Sequence, residues 1–166
     1  AKHIMAAAAK NLVPVTLELG GKSPVLISRS ANIKTAVSRI MMGKTMNAGQ
    51  ICLAPDYLMV PEEKLDEVID EIKAAVASMY PTLLNNPEYT SLINDRHFQR
   101  LQDNLTDATQ KGAKVLCLAP AGEDFTAQQG TRKIAPTVIT NVTDDMRVLQ
   151  EEIFGPLLPI KTYKHF

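Results

Sequence analysis

The chain has 166 residues, of which 45% are hydrophobic and 22% charged, with eighteen basic residues against eighteen acidic ones. That size suits one compact domain with a real core, and the balanced charge, with no block of one sign, excludes the electrostatic footprint of a nucleic-acid or anionic-membrane partner. No apolar run nears the roughly 18 residues that span a bilayer, and two cysteines, Cys52 and Cys117, are too few for a disulfide framework.

A reduced, cytoplasmic setting is the default for such cysteine usage. No Cys-x-x-Cys or paired His/Cys spacing points to a structural zinc site, so no metal is expected. The opening AKHIMAAAAK lacks the apolar core and cleavage site of a signal peptide. It also lacks an initiator Met, so Ala1 need not be a natural start.

In chain order, residues 2–10 read as a helix with Ile4, Met5 and Ala8 on one face, broken by Pro14. Val15-Thr16-Leu17 and Pro24–Ile27 read as short buried strands around a Gly-Gly bend. Asn32 caps a helix over 33–47, whose apolar stripe falls at 33, 36, 37, 40 and 41. Tyr57–Val60 is a strand that stops at Pro61, and Pro61 begins an amphipathic helix with Leu65, Val68, Ile69, Ile72 and Val76 on one face. Residues 81–91 form a Pro- and Asn-rich loop. A helix over 95–111 turns Phe98, Leu101, Leu105 and Ala108 inward and stops at Gly112. Lys114–Leu118 is an apolar strand with Cys117 in its core, 119–134 an exposed polar connection, and 136–139 and 157–160 the last strands. The alternation of strand and helix predicts an α/β fold with a parallel-rich sheet and helices on both faces.

Four stretches could carry chemistry. Gly21-Lys22-Ser23 resembles the end of a phosphate loop, but the first glycine of that motif would fall on Thr16, and Pro24 opens a strand where a helix should start. Cys52 sits in MNAGQICLAPDY, after the small residues Ala48 and Gly49. A cysteine in such a tight connection suits a thiolate nucleophile whose own N–H helps hold an oxyanion. Composition and spacing by themselves favour a buried, inert cysteine there, and more strongly so at Cys117. Glu18 is the one charge in VTLELGG. It is either a desolvated general base with a raised pKa or a strand-end carboxylate in solvent. Glu151-Glu152-Ile153-Phe154-Gly155-Pro156 offers carboxylates that could accept from ribose hydroxyls and a ring that could pack beside a flat cofactor, although a solvated turn with a core Phe fits the local pattern better. His3, His97 and His165 are isolated. His97 shares its helix with Arg96 and Arg100, which places it at the surface.

Three of these segments, VTLELGGKSP at 15–24, NAGQIC at 47–52 and EEIFGP at 151–156, occur in the order found in the aldehyde dehydrogenase superfamily, which the chain therefore resembles. RSANIKTAV, TRKIAPTVI and DDMRVLQEEIFGPLLPI extend the resemblance over essentially the whole chain, and APDY with MRVLQEEIFGPLLPI resembles the branch that contains coniferyl aldehyde dehydrogenases. The resemblance implies a three-layer αβα catalytic domain. It implies that Cys52 adds to an aldehyde to form a thiohemiacetal and then a thioester, and that Glu18 activates the hydrolytic water. It assigns Glu152 to the nicotinamide ribose, Phe154 to the nicotinamide ring and the Leu19 carbonyl to the carboxamide, with Gly20 and Gly21 allowing close approach. The implied cofactor is NAD or NADP, the substrate an aldehyde, aromatic in the coniferyl branch, and the parent protein a homo-oligomer.

Family members run to roughly three times this length. The expectation is a catalytic-domain piece: residues 1–19 as the tail of the cofactor-binding domain, and 20–166 as the thiol-bearing domain, C-terminally truncated. The Asn that completes the oxyanion hole is then expected upstream, and the piece alone is expected to bind NAD(P)+ poorly and to be inactive. Two rivals stay open. One is an acylating or phosphate-reducing relative that passes the thioester to another acceptor. The other is a non-catalytic structural domain with an inert Cys52.

Overall fold

A computed structural model describes residues 1–126 and 130–165. Its elements are α1 (Lys2–Asn11), β1 (Pro24–Leu26), α2 (Ile33–Thr45), β2 (Tyr57–Pro61), α3 (Leu65–Met79), α4 (Asp95–Gln110), β3 (Lys114–Cys117), β4 (Thr137–Thr140), α5 (Arg147–Gln150) and β5 (Leu157–Tyr163). The five strands form one sheet in the order β1-β2-β5-β4-β3. Every pairing is parallel except β3 with β4, which are antiparallel.

Period-two alternation places helices on both faces. Val138 of β4 and Leu158 and Ile160 of β5 join a core with Val37 and Met41 of α2 and Val68 and Ile72 of α3. Their neighbours Ile139 and Leu157 point the other way, into a core with Leu101 and Ala108 of α4 and Val148 of α5. The three-layer α/β reading therefore holds. The helix starts follow local chemistry: the Asn32 and Asn94 side chains each accept a backbone N–H three residues on, at 2.9 Å, as N-caps do. Gly112, at φ +90°, ends α4.

Several expectations change. Val15-Thr16-Leu17 is not a strand. Residues 12–23 run irregularly with Val15 and Leu17 exposed, because no neighbouring strand supplies a ladder. Pro61 ends β2 rather than opening the helix; a 3-10 turn at Glu62–Lys64 intervenes before α3. Cys117 is exposed, since β3 lies at the sheet edge and packs on one side only. Within the connection 119–134, of which 127–129 lie outside the described residues, Lys133 and Ile134 are buried rather than solvated. Lys133 donates to the carbonyls of Leu83, Leu84 and Asn86.

Of the buried charges Lys44, Asp56 and Lys133, Lys44 is the most deeply placed. Lys44, in the last turn of α2, is 1% exposed. Burial pulls its pKa from 10.5 down to about 7, Asp56 opposes the shift and Lys22 adds to it. Above the folded value and below 10.5 the unfolded chain holds the Lys44 proton and the folded chain does not, so stability should rise with pH across that window, by up to about 1.4 kcal/mol per unit, and stay flat with respect to this group below pH 7. Lys44→Met should abolish that slope and raise stability at pH 7. Denaturant unfolding of both proteins at pH 7 and 9 checks this; parallel pH dependences would contradict it.

Candidate active site

The loop that presents Cys52 is built from left-handed backbone. After α2 the chain makes a 3-10 turn, Met46–Gly49, in which Asn47 and Ala48 have φ +51° and Gly49 has φ +74°. Non-glycine residues enter this region at a cost of order 1 kcal/mol each, so surrounding contacts must hold them. Gln50 supplies some: its amide donates to the carbonyls of Asn47 and Ser91 at 3.0 and 3.1 Å and accepts the Ile93 N–H at 3.0 Å. Ala48 is fully buried. Gly49 passes so close to Gly155 that a Cβ would stand 2.4 Å from the Gly155 carbonyl oxygen. Cys52 then emerges exposed and unpaired with any other thiol.

The facing turn runs from Glu151 to Gly155. Ile153 and Gly155 are buried while Phe154, at φ +47°, stands 37% exposed. Gly155 is required there, because a Cβ would lie 2.4 Å from Leu101 Cδ1 of α4. Arg100, from the same helix, donates to the Glu152 and Ile153 carbonyls at 3.3 and 2.5 Å. Burial lowers the Arg100 pKa from its ordinary value, with Glu151, Glu152 and Asp56 pulling it back. On the other side of the turn, Lys22 donates to the Val148 and Glu151 carbonyls and to Asp56, whose second oxygen accepts the Ile153 N–H at 2.9 Å.

The third wall is the strip Glu18–Gly20. Gly20, at φ +92°, donates its N–H to Glu18 Oε1 at 3.1 Å. A Cβ on Gly20 would stand 2.2 Å from Glu152 Oε2, so this carboxylate rests against bare backbone. Ser23 ties the strip to the thiol loop: its carbonyl accepts the Asp56 N–H at 2.9 Å, and its hydroxyl reaches the Cys52 carbonyl at 3.4 Å.

An open cleft of about 550 Å³ is lined by Glu18, Leu19, Gly20, Cys52, His97, Arg100, Glu151, Glu152 and Phe154. Cys52, Glu18, Glu152, Phe154, Leu19 and Gly20 meet there, whereas Gly21, also singled out for close approach, lies outside the lining with open space about it. Glu18 is exposed, which in this chain matches the solvent-facing one of the two settings left open for it. Cys117 lines a different, mostly apolar cleft between α3 and β3, with Lys73 and Tyr80 but no carboxylate or imidazole in its lining. His97 is half-buried and faces the cleft rather than lying free at the surface. His97 and Arg100 were recognisable only as two bases three residues apart on one helix face. The cleft combines carboxylates that can accept hydrogen bonds, an exposed aromatic ring and a glycine backbone that leaves room beside Glu152. Among the described residues no group of three or more His, Cys, Asp or Glu could hold a metal ion.

Known proteins resemble this chain in sequence and fold. The model described as "Aldehyde dehydrogenase family" matches residues 1–166. A coniferyl aldehyde dehydrogenase of Pseudomonas sp. is 62% identical over 166 residues, covering all of this chain and 34% of that protein. The substrate-bound state of Staphylococcus aureus AldH superposes with a TM-score of 0.84 at 41% identity, over 99% of this chain and 34% of that one. A betaine aldehyde dehydrogenase from the same organism, solved in complex with NAD+, gives 0.82 at 29% identity over 99% and 33%. The chain spans about a third of the length of the curated relatives it matches.

The crossing of Gly49 over Gly155 yields a direct test. Gly49→Ala should destabilise the protein by about 2–4 kcal/mol, from left-handed strain plus overlap with backbone. Gly112→Ala, at φ +90° but with open space around it, should cost only about 1 kcal/mol. Urea unfolding compares them, and equal losses would show that the crossing adds nothing.

Proposed function

Because the chain belongs to the aldehyde dehydrogenase family, we propose that it carries the thiol and acid of an NAD(P)-dependent oxidation of an aldehyde to a carboxylic acid. What supports this reading most is the meeting of Glu18, Cys52, Glu152 and Phe154 in one cleft. Residues 1–19 then form the tail of a cofactor-binding domain and 20–166 the thiol-bearing part of the catalytic domain.

Cys52 Sγ attacks the aldehyde carbon, and the carbonyl π pair moves to oxygen, where the Cys52 N–H accommodates the developing charge. NAD(P)+, when bound, supplies the hydride acceptor that turns the thiohemiacetal into a thioester. Glu18 takes a proton from water as it attacks the thioester carbon. The C–S bond breaks, the acid leaves and the thiolate is restored. With the cofactor bound, Glu152 would accept from the ribose hydroxyls, Phe154 would lie beside the nicotinamide, and the Leu19 carbonyl would receive the carboxamide. Gly20 keeps that surface free of side chains. A water-activating Glu18 has no task in an acylating or phosphate-reducing relative, which speaks for hydrolysis.

The substrate we propose is an aromatic aldehyde, coniferaldehyde going to ferulate, in keeping with the named relative. Two free thiols suit a reducing cytoplasm, and the family resemblance favours a homo-oligomer.

In the full-length protein Cys52→Ala should abolish NAD(P)H formation, a loss of at least about 10⁴-fold. Glu18→Gln should keep a burst of one NAD(P)H per site while slowing steady turnover about 10²–10³-fold. Stopped-flow absorbance with coniferaldehyde reads both. Undiminished steady turnover in Glu18→Gln would overturn the assignment.

A further inference from the structure

We propose that Lys22 and Asp56 are positioning residues that clamp the Glu151–Phe154 turn from behind and thereby set NAD(P)+ affinity, without taking part in thiol chemistry. The inference rests on the functional reading above. Neither side chain lines the cleft, so neither touches the reacting atoms.

The clamp is specific in its bonding. Asp56 is 4% exposed. One of its oxygens holds Lys22 Nζ and the other accepts the Ile153 N–H at 2.9 Å. The two remaining ammonium donors of Lys22 go to the Val148 and Glu151 carbonyls at 2.9 and 2.8 Å, so all three are used. The groups on either side of Glu152 in the chain, the Glu151 carbonyl and the Ile153 amide, are therefore both pinned by this one ion pair. Arg100 takes the Glu152 and Ile153 carbonyls. With its backbone held throughout, the Glu152 side chain reaches the cleft, where it rests on Gly20.

The pair also connects all three walls. Lys22 lies two residues beyond Gly20, Asp56 four beyond Cys52, and the Asp56 N–H donates to the Ser23 carbonyl. Asp56 is buried and Lys22 half-buried, so breaking the pair leaves a buried carboxylate without its cation, whereas a fully exposed pair would cost little. Asp56→Asn keeps the shape and an oxygen for the Ile153 amide but removes the charge that holds Lys22. Lys22→Gln removes the grip on Val148 and Glu151.

The test uses the full-length protein and three readouts. Hydrogen exchange over 148–155 reports the turn, calorimetric titration with NAD+ and NADP+ reports affinity, and iodoacetamide labelling of Cys52 reports the thiol. In both variants exchange at the turn should quicken at least about tenfold and the Kd for the preferred cofactor should rise about tenfold, the scale of one lost charge-assisted hydrogen bond. Cys52 labelling in the absence of cofactor should stay within about twofold, well below that scale. Unchanged exchange, or quickened exchange with unchanged Kd, would overturn the proposal. So would cofactor affinity that holds while Cys52 labelling collapses. If Asp56→Asn does not fold, Lys22→Gln decides by the same readouts. Absence of cofactor binding in the unsubstituted protein would overturn the functional reading instead, and this inference with it.

Discussion

Two glycines touching across the chain determine what the rest of the molecule can do. The Gly49 backbone crosses the Gly155 carbonyl with no room for a side chain, and that contact sets the loop bearing Cys52 beside the turn bearing Glu152 and Phe154. The two segments are over a hundred residues apart in sequence and arrive by different routes, one from the end of α2 and the other from α5. β5 then carries the second segment back into the middle of the sheet between β2 and β4. The rigid sheet fixes where each loop starts, and the glycine contact fixes how close they come.

Backbone crossings of this kind need side chains to keep the loops from parting, and here those side chains are charged. Lys22 and Asp56 bond each other, and together with Arg100 they bind main-chain groups of the 148–153 segment. Lys44 lies beneath them as a further cation that burial drives toward neutrality. Two cations near one carboxylate would leave net charge in the core. A neutral Lys44 leaves Asp56 matched by Lys22 alone, which relieves part of the desolvation cost.

Much of the sheet was legible because β4 and the start of β5 are short, β-rich runs buried on both faces, and α2, α3 and α4 show regular apolar spacing. Cys52, Glu18 and Glu152 stood out through the resemblance of NAGQIC, VTLELGGKSP and EEIFGP to a known family, whereas their local patterns by themselves favoured an inert cysteine and a solvated turn and left Glu18 open. What stayed hidden was long-range. Nothing local tells that Lys22 reaches Asp56, 34 positions away, although each is a lone charge beside a strand start. His97 and Arg100 read as surface residues because the turn they face lies some fifty positions downstream. Val15-Thr16-Leu17 misled because β-branched residues signal strands only when a partner strand exists, and Cys117 because an apolar run does not reveal that its strand is at an edge.

Cys52 and Cys117 line different clefts, and under the proposed function only the Cys52 cleft receives NAD(P)+. Thiol labelling of the full-length protein by iodoacetamide, read by peptide mass spectrometry with and without saturating NAD(P)+, tests it most directly. The expected result is a cofactor-dependent change in rate at Cys52 and none at Cys117. An unchanged rate at Cys52, or an equal change at both thiols, would contradict it.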